Sequence, residues 1–251
     1  MPQTSISILG IPGLPEVRPG DDLASTIAST VRLAGDDLRD QDIVVIAQKI
    51  VSKAEGRLVR LSSITPSPAA AQWAKEFDKD ARVVEVVLAE SRRVVRMERG
   101  IVISETSHGF VCANAGVDTS NVPDGYVSLL PEDPDKSAAR IRDSLERELG
   151  VKLAVVICDT FGRPWREGLV NVAIGVAGIA PLIDYRGQVD SYGRALHVTV
   201  IAIADELASA AELVMKKRDG VPVAVVRGFE YERRAASSSE LIRHESLDLF
   251  R

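Results

Sequence analysis

Cysteine, histidine and aromatic residues are scarce in this chain. Its 251 residues include two cysteines, three histidines and 4% aromatics. Two cysteines make no disulfide framework. Cys112 and Cys158 both sit in apolar surroundings, so they read as buried free thiols of a reducing cytosol. There is no zinc-ligand spacing, no Walker-type phosphate loop, no GxGxxG and no internal repeat. No run is long and apolar enough to cross a bilayer. The N-terminus, Met1-Pro2-Gln3-Thr4, lacks the basic-then-apolar pattern of a secretory signal. A broad basic field is missing too, because the net charge is -5. These absences predict a cytoplasmic protein with neither a membrane nor a nucleic-acid partner.

The rest of the composition is that of an ordinary soluble protein, with 45% apolar and 27% charged residues. The length suits one large domain or two small ones. A turn-rich link at Pro131-Glu132-Asp133-Pro134-Asp135-Lys136-Ser137 is the candidate subdomain boundary.

The chain is organised around Val155 to Gly168. An apolar run, Val155-Val156-Ile157-Cys158, reads as a buried strand. It gives way to Asp159-Thr160-Phe161-Gly162-Arg163-Pro164-Trp165-Arg166. An acid at such an exit can bind a metal or simply cap a turn. Phe110 to Asn121 reads as a second strand that ends in an acid, and Asn114, Asp118 and Asn121 again bring short oxygen donors close together, with Gly116 letting backbone approach a ligand. Two acids that each end a strand make a divalent-cation site plausible, because hard cations take carboxylate and carbonyl oxygens.

Other segments supply phosphate-binding chemistry. Gly10 to Glu16, with two glycines and two prolines, is a loop able to turn backbone N–H groups towards an anion. Lys49 and Lys53 follow the strand Asp42–Ala47 four residues apart and share a helical face. Two such ammonium groups repel unless an anion lies between them or water solvates both.

Periodicity and capping signals predict further elements. Helices are expected from Leu23 after an Asp N-cap, over Ser67–Arg93 as one long stretch, and over Ser137–Leu149 closed by Gly150. Another should follow Asp205-Glu206 and reach about Met215. Strands are expected over Ser5–Leu9, over Gly100–Gly109 as strand and then turn, over Leu196–Ala204 and over Val223–Gly228. Leu169–Ile183 reads as core, either a strand pair or a packed helix. The tail from Glu230 reads as helical or partly disordered. His108 is a turn histidine, more often polar surface than catalytic.

Six segments, in order from Gly10 to Gly228, resemble the coenzyme F420-0:L-glutamate ligase (gamma-glutamyl ligase) family. They are Gly13-Leu14-Pro15, Val51–Arg57, Asn114–Asn121, Asp159–Arg163, Asp190–Arg194 and Asp219–Gly228. The resemblance implies an α+β fold with mixed sheets and flanking helices, as a single ligase domain in an intertwined homodimer. Some bacterial relatives carry a fused nitroreductase-like domain, which this chain is expected to lack. The implied activity joins L-glutamate to the F420-0 precursor with GTP, using two Mg2+ or Mn2+ ions and K+. By position, Asp118 and Asp159 look like ligands of one cation and Thr160 of the other. Leu14, Pro15, Glu16, Val17, Gln48, Lys49, Lys53 and Asn121 look like GTP contacts. Met215, Asp219, Gly220 and Val221 resemble a second nucleotide loop. Arg163 and Arg166 suit the precursor's phosphate or carboxylate by residue type. This chain departs where some members carry an acid after the Met. Lys216 and Lys217 stand there, leaving Glu206 or Asp219 to serve the second cation. Competing expectations are a metal-dependent phosphohydrolase and a non-catalytic GTP-binding dimer.

Overall fold

The computed structural model describes residues 5–248 and is a mixed α+β fold with several sheets. The strands are β1 (Ser7–Gly10), β2 (Ile43–Ala47), β3 (Leu58–Arg60), β4 (Ser91–Glu98), β5 (Ile101–Thr106) and β6 (Val111–Ala113). They continue as β7 (Tyr126–Ser128), β8 (Ala154–Arg163), β9 (Arg166–Ala177), β10 (Ile183–Asp184), β11 (Val200–Ile201) and β12 (Val223–Arg227). The helices are α1 (Leu23–Leu33), α2 (Gln48–Ala54), α3 (Pro68–Glu76), α4 (Ala81–Ala89), α5 (Pro134–Leu149) and α6 (Ile203–Met215).

The principal sheet has the order β1-β12-β2-β8-β9. Only β2 and β8 run parallel, and the other neighbours are antiparallel. Its central strands are β-branched and buried on both faces, as a sheet covered by helices on each side requires. On one face, α1 and α5 bury Ile27, Val31, Ile141 and Leu145 against Val44, Ile46, Val155 and Ile157. On the other, α6 buries Leu207, Ala208 and Ala211 against Val45, Val156 and Val226. A satellite layer joins α4, β5 and β7 through Val86, Val87, Val102 and Val127. No helix among the described residues is long and apolar enough to cross a membrane.

Register decides where the loops go. Gly10 pairs with Ala224, and Val223 pairs with Ile46, so β1 ends where β12 begins. Ala47 pairs with Cys158, so β2 also ends there, level with the point where β8 leaves the core. The segments 11–17, 48–54, 159–163 and 216–222 therefore gather at one edge of the sheet. Ile11 donates to the Val223 carbonyl and Ala47 to the Pro222 carbonyl, closing that edge.

Capping explains most element starts. Asp22 caps α1, Ser67 caps α3 ahead of Pro68, and Asp133 caps α5 ahead of Pro134. The 131–137 link is thus the turn into α5. Gly150 closes α5 in the left-handed conformation at φ 71°.

Several expectations are corrected. The helix predicted over 67–93 is two helices and the start of a strand. Asp78 turns back at φ 53°, Asp80 caps α4, and β4 opens at Ser91. The strand predicted over 196–204 shrinks to Val200–Ile201, because Ile203 already begins α6. The 169–183 stretch is mostly the single strand β9 rather than a strand pair or a packed helix. Neither acid ends a strand: β6 stops at Ala113, ahead of the turn that leads to Asp118, and β8 continues past Asp159 as a hairpin to Arg163. A register shift accompanies its exit from the core: Ile157 faces Gly175, Cys158 faces Ala173, and Ile174 is skipped. In the tail, short 3-10 turns at Ser238–Leu241 and Glu245–Leu247 stand in place of regular helix. The last residues, 249–251, lie outside the described range.

Candidate functional site

The gathered edge carries the chemistry. Lys49 opens α2 directly after β2, while Asp159 lies one residue past the Ala47–Cys158 pair on the parallel neighbour. Asp118 arrives from the satellite layer. A tight turn at Asn114, Ala115 and Gly116, all at positive φ, throws the chain out of β6. Asp118 then bridges Ser128 through two backbone hydrogen bonds of 3.0 and 2.8 Å. Gly116 is required there twice over. Its φ is +72°, and a Cβ would lie 2.6 Å from Leu130 Cγ. The glycine thus serves packing of the turn.

Lys49 Nζ donates to Asp118 Oδ2 at 2.6 Å, and to Ser120 Oγ and its carbonyl at 2.7 and 2.9 Å. Ser120 N–H caps Asp118 Oδ1 at 2.7 Å. Burial pulls the Asp118 pKa upward, but the Lys49 and Ser120 hydrogen bonds outweigh it and hold it below the usual value. Asp159 behaves oppositely. Burial pushes it up to about 6, the Thr160 N–H opposes, and the charge of Asp118 raises it again. Lys49 and Lys217 offset part of that rise. The two carboxyls thus share one electrostatic site, with Lys49 acting on both. Asp159 is left short of compensating positive charge. This donor set suits a hard divalent cation, which would relieve the penalty on Asp159.

Lys53 is buried, and its ammonium meets Glu16 of the 11–17 loop at 2.5 Å. The two lysines of α2 therefore do not rely on a shared anion; each has its own carboxylate. Leu14 packs partly against the core and Val17 is buried, while Pro15 is exposed. Gln48 is buried, its Oε1 accepting from Ser52 at 2.8 Å. Asn121 is exposed at φ 53°.

A second cluster lies beyond Asp159. Thr160 Oγ1 donates to Asn171 Oδ1 at 2.7 Å across the β8–β9 pair. Asn171 Nδ2 donates to Glu212 Oε2 at 2.9 Å. Lys217 Nζ reaches Thr160 Oγ1 at 2.5 Å, Glu212 Oε1 at 3.3 Å and Asn171 Oδ1 at 3.4 Å. The residues present do not fit a second divalent cation on Thr160, because an ammonium already stands there. Neither acid named from the sequence reaches it. Asp219 pairs with Lys216 at 3.1 Å, and Glu206 is exposed in the first turn of α6, away from Lys217. Met215 is buried and anchors the loop, while Gly220 and Val221 lie on the gathered edge.

Asn171, Glu212 and Ser120 are contributors that sequence reasoning missed, and Lys217 is marked in the sequence only as standing where some relatives carry an acid. Asn171 had one visible signal, an amide inside the apolar run of β9.

The remaining candidates sit apart. Arg163 donates to the Glu167 and Gly168 carbonyls at 2.5 and 3.3 Å, clamping its own hairpin. Arg166 is exposed at the hairpin tip. His108 Nε2 lies 3.0 Å from the Pro131 and Glu132 carbonyls, and its ring stacks on Phe110. Both cysteines are free and buried, and burial first, then the charge of Asp159, pushes each thiol up to about 12. They are inert at neutral pH.

Comparisons with known proteins agree across most of the chain. Residues 13–228 match the family model described as F420-0:Gamma-glutamyl ligase. A relative from Methanothermobacter thermautotrophicus, named Coenzyme F420:L-glutamate ligase, is 49% identical over 98% of this chain and 99% of its own. One of the same name from Methanopyrus kandleri is 49% identical over 94% of both chains. A third, from Methanocaldococcus jannaschii, is 45% identical over 85% of this chain and 86% of its own.

Proposed function

The chain belongs to the F420-0:gamma-glutamyl ligase family, and from that premise we propose that it joins L-glutamate to the F420-0 precursor. The product is a gamma-linked amide and the co-substrate is GTP. The γ-phosphoryl group passes to the precursor's terminal carboxylate, giving an acyl phosphate and GDP. The glutamate amine then attacks the acyl carbon and expels inorganic phosphate. The activation is needed because amide formation from a carboxylate in water is uphill.

The observation that carries this reading is the shared site of Asp118, Asp159 and Lys49 at the edge where four loops meet. Phosphoryl transfer asks a protein chiefly for positioning and charge neutralisation. A Mg2+ or Mn2+ ion held by Asp118 and Asp159 would neutralise charge on the γ-phosphate and on the attacking carboxylate. Lys49 keeps Asp118 ionised and in place. Lys53, on the buried face of α2, offers its ammonium to phosphate oxygens at the 11–17 loop. Met215 is buried at the root of the second loop, and Asp219, Gly220 and Val221 of that loop are assigned to the nucleotide. Arg163 and Arg166 are assigned to the precursor, with Arg163 also shaping the hairpin that carries both. No side chain need act as a nucleophile, which accords with thiols held near 12.

The same reading includes a K+ requirement, a cytoplasmic location and a homodimer. Exposed Trp165 and Leu169 on the β8–β9 hairpin support a face for a second copy.

The test is an assay of purified protein with GTP, Mn2+, precursor and glutamate, products read by mass. The expected result is a glutamyl adduct and phosphate release that needs both the precursor and glutamate. Release without either identifies a phosphohydrolase. Tight GTP binding without turnover identifies a nucleotide-binding dimer.

A further inference from the structure

We propose that the ammonium of Lys217 permanently fills the position beside Thr160, so that this chain takes one divalent cation with its nucleotide rather than two. The inference rests on the reading that Asp118 and Asp159 hold a cation there.

The position has the donors of a hard-cation site. A hydroxyl comes from β8, an amide oxygen from β9 and a carboxylate from α6: Thr160 Oγ1, Asn171 Oδ1 and Glu212 Oε1. Hydroxyl, amide carbonyl and carboxylate oxygens are the ligands Mg2+ and Mn2+ favour. Here the three converge on one Nζ, and three is the number of protons an ammonium can donate. The Thr160 hydroxyl gives its own proton to Asn171, which turns a lone pair towards Lys217. The Asn171 amide in turn holds the other Glu212 oxygen. Each oxygen is oriented by a neighbour and not only by the lysine.

The backbone directs Lys217 inward. α6 ends at Met215, which is buried, and Lys216 turns the chain at φ 52°, ψ 174°. Its own side chain goes to Asp219. Lys217 thus arrives at the carbonyl end of a helix, where positive charge is favoured. Its side chain is 57% exposed, so the pair with Glu212 alone would contribute little. Convergence of three elements, rather than one ion pair, marks the position as built for a cation. A tethered ammonium supplies one positive charge there at any metal concentration.

The experiment counts Mn2+ by electron paramagnetic resonance. Mn2+ is titrated into the full chain saturated with a non-hydrolysable GTP analogue. The expected wild-type result is one Mn2+ per chain and no spectrum of a coupled manganese pair. Lys217→Glu, which restores an acid beside Glu212, should take a second Mn2+ and give the coupled-pair spectrum. Two Mn2+ per wild-type chain would overturn the proposal, and so would a folded Lys217→Glu protein that still binds one. If that variant does not fold, the wild-type count decides alone. Asp159→Asn separates this proposal from the reading beneath it. The single wild-type ion should vanish in that variant. Its persistence overturns the Asp118–Asp159 assignment, and the proposal with it.

Discussion

Asp159 and Thr160 are neighbours on one strand, yet they face opposite electrostatic situations. Side chains alternate across a strand, so two successive residues serve two different sides. On the first side an acid lies under burial and under the charge of Asp118, and its pKa climbs to about 6. On the second a hydroxyl already holds the ammonium of Lys217. The first side is only partly offset by Lys49 and Lys217, while the second holds an ammonium in direct contact. Where the lysine comes from decides this: Lys49 is spent on Asp118, and Lys217 on Thr160 and Glu212.

The largest expected effect removes the deficit side. Asp118→Asn and Asp159→Asn should each cut ligation about a thousandfold or more, the several kcal/mol that a positioned cation supplies to charge stabilisation. Steady-state turnover with GTP and Mn2+ measures it, while circular dichroism checks that the fold is kept.

The second effect has the opposite sign. A carboxyl whose folded pKa lies above its unfolded value makes the fold lose stability as pH rises through that window, here from 3.8 to about 6. In chelator, Asp159→Asn should therefore be more stable than the wild type at pH 7, by on the order of 3 kcal/mol. The gain should vanish below about pH 4. Urea melts at several pH values would show it, and no gain at pH 7 would mean Asp159 is already compensated.

The third concerns the limb that carries Asp118. Gly116→Ala should destabilise the chain by about 2 kcal/mol, from a positive φ and a clash with Leu130. It should also weaken Mn2+ binding, because the turn aims Asp118. Smallest is Lys53→Ala, expected to weaken GTP about tenfold, as loss of one charge-assisted phosphate contact does. Calorimetry reads it, and unchanged affinity would remove Lys53 from the phosphate site.

Much of this was legible in local signals. Asp22, Ser67, Pro68 and Gly150 mark real helix ends, and the β-branched runs at Ile43 and Val155 are real central strands. Asp118 and Asp159 stood out because acids follow apolar runs. What stayed hidden depends on pairing between distant segments. The register Ala47–Cys158, which puts Lys49 beside Asp159, has no local trace. Nor does the partnership of Thr160 with Asn171, Glu212 and Lys217, which come from a second strand and a helix end. The split of the 67–93 helix was missed because Asp78 takes a left-handed turn that side-chain periodicity does not report.

The most direct test of the account is anomalous diffraction from crystals grown with Mn2+ and a GTP analogue. The account predicts a manganese peak within about 2.2 Å of a carboxylate oxygen from both Asp118 and Asp159. A peak on only one of these acids, or on neither, would contradict it.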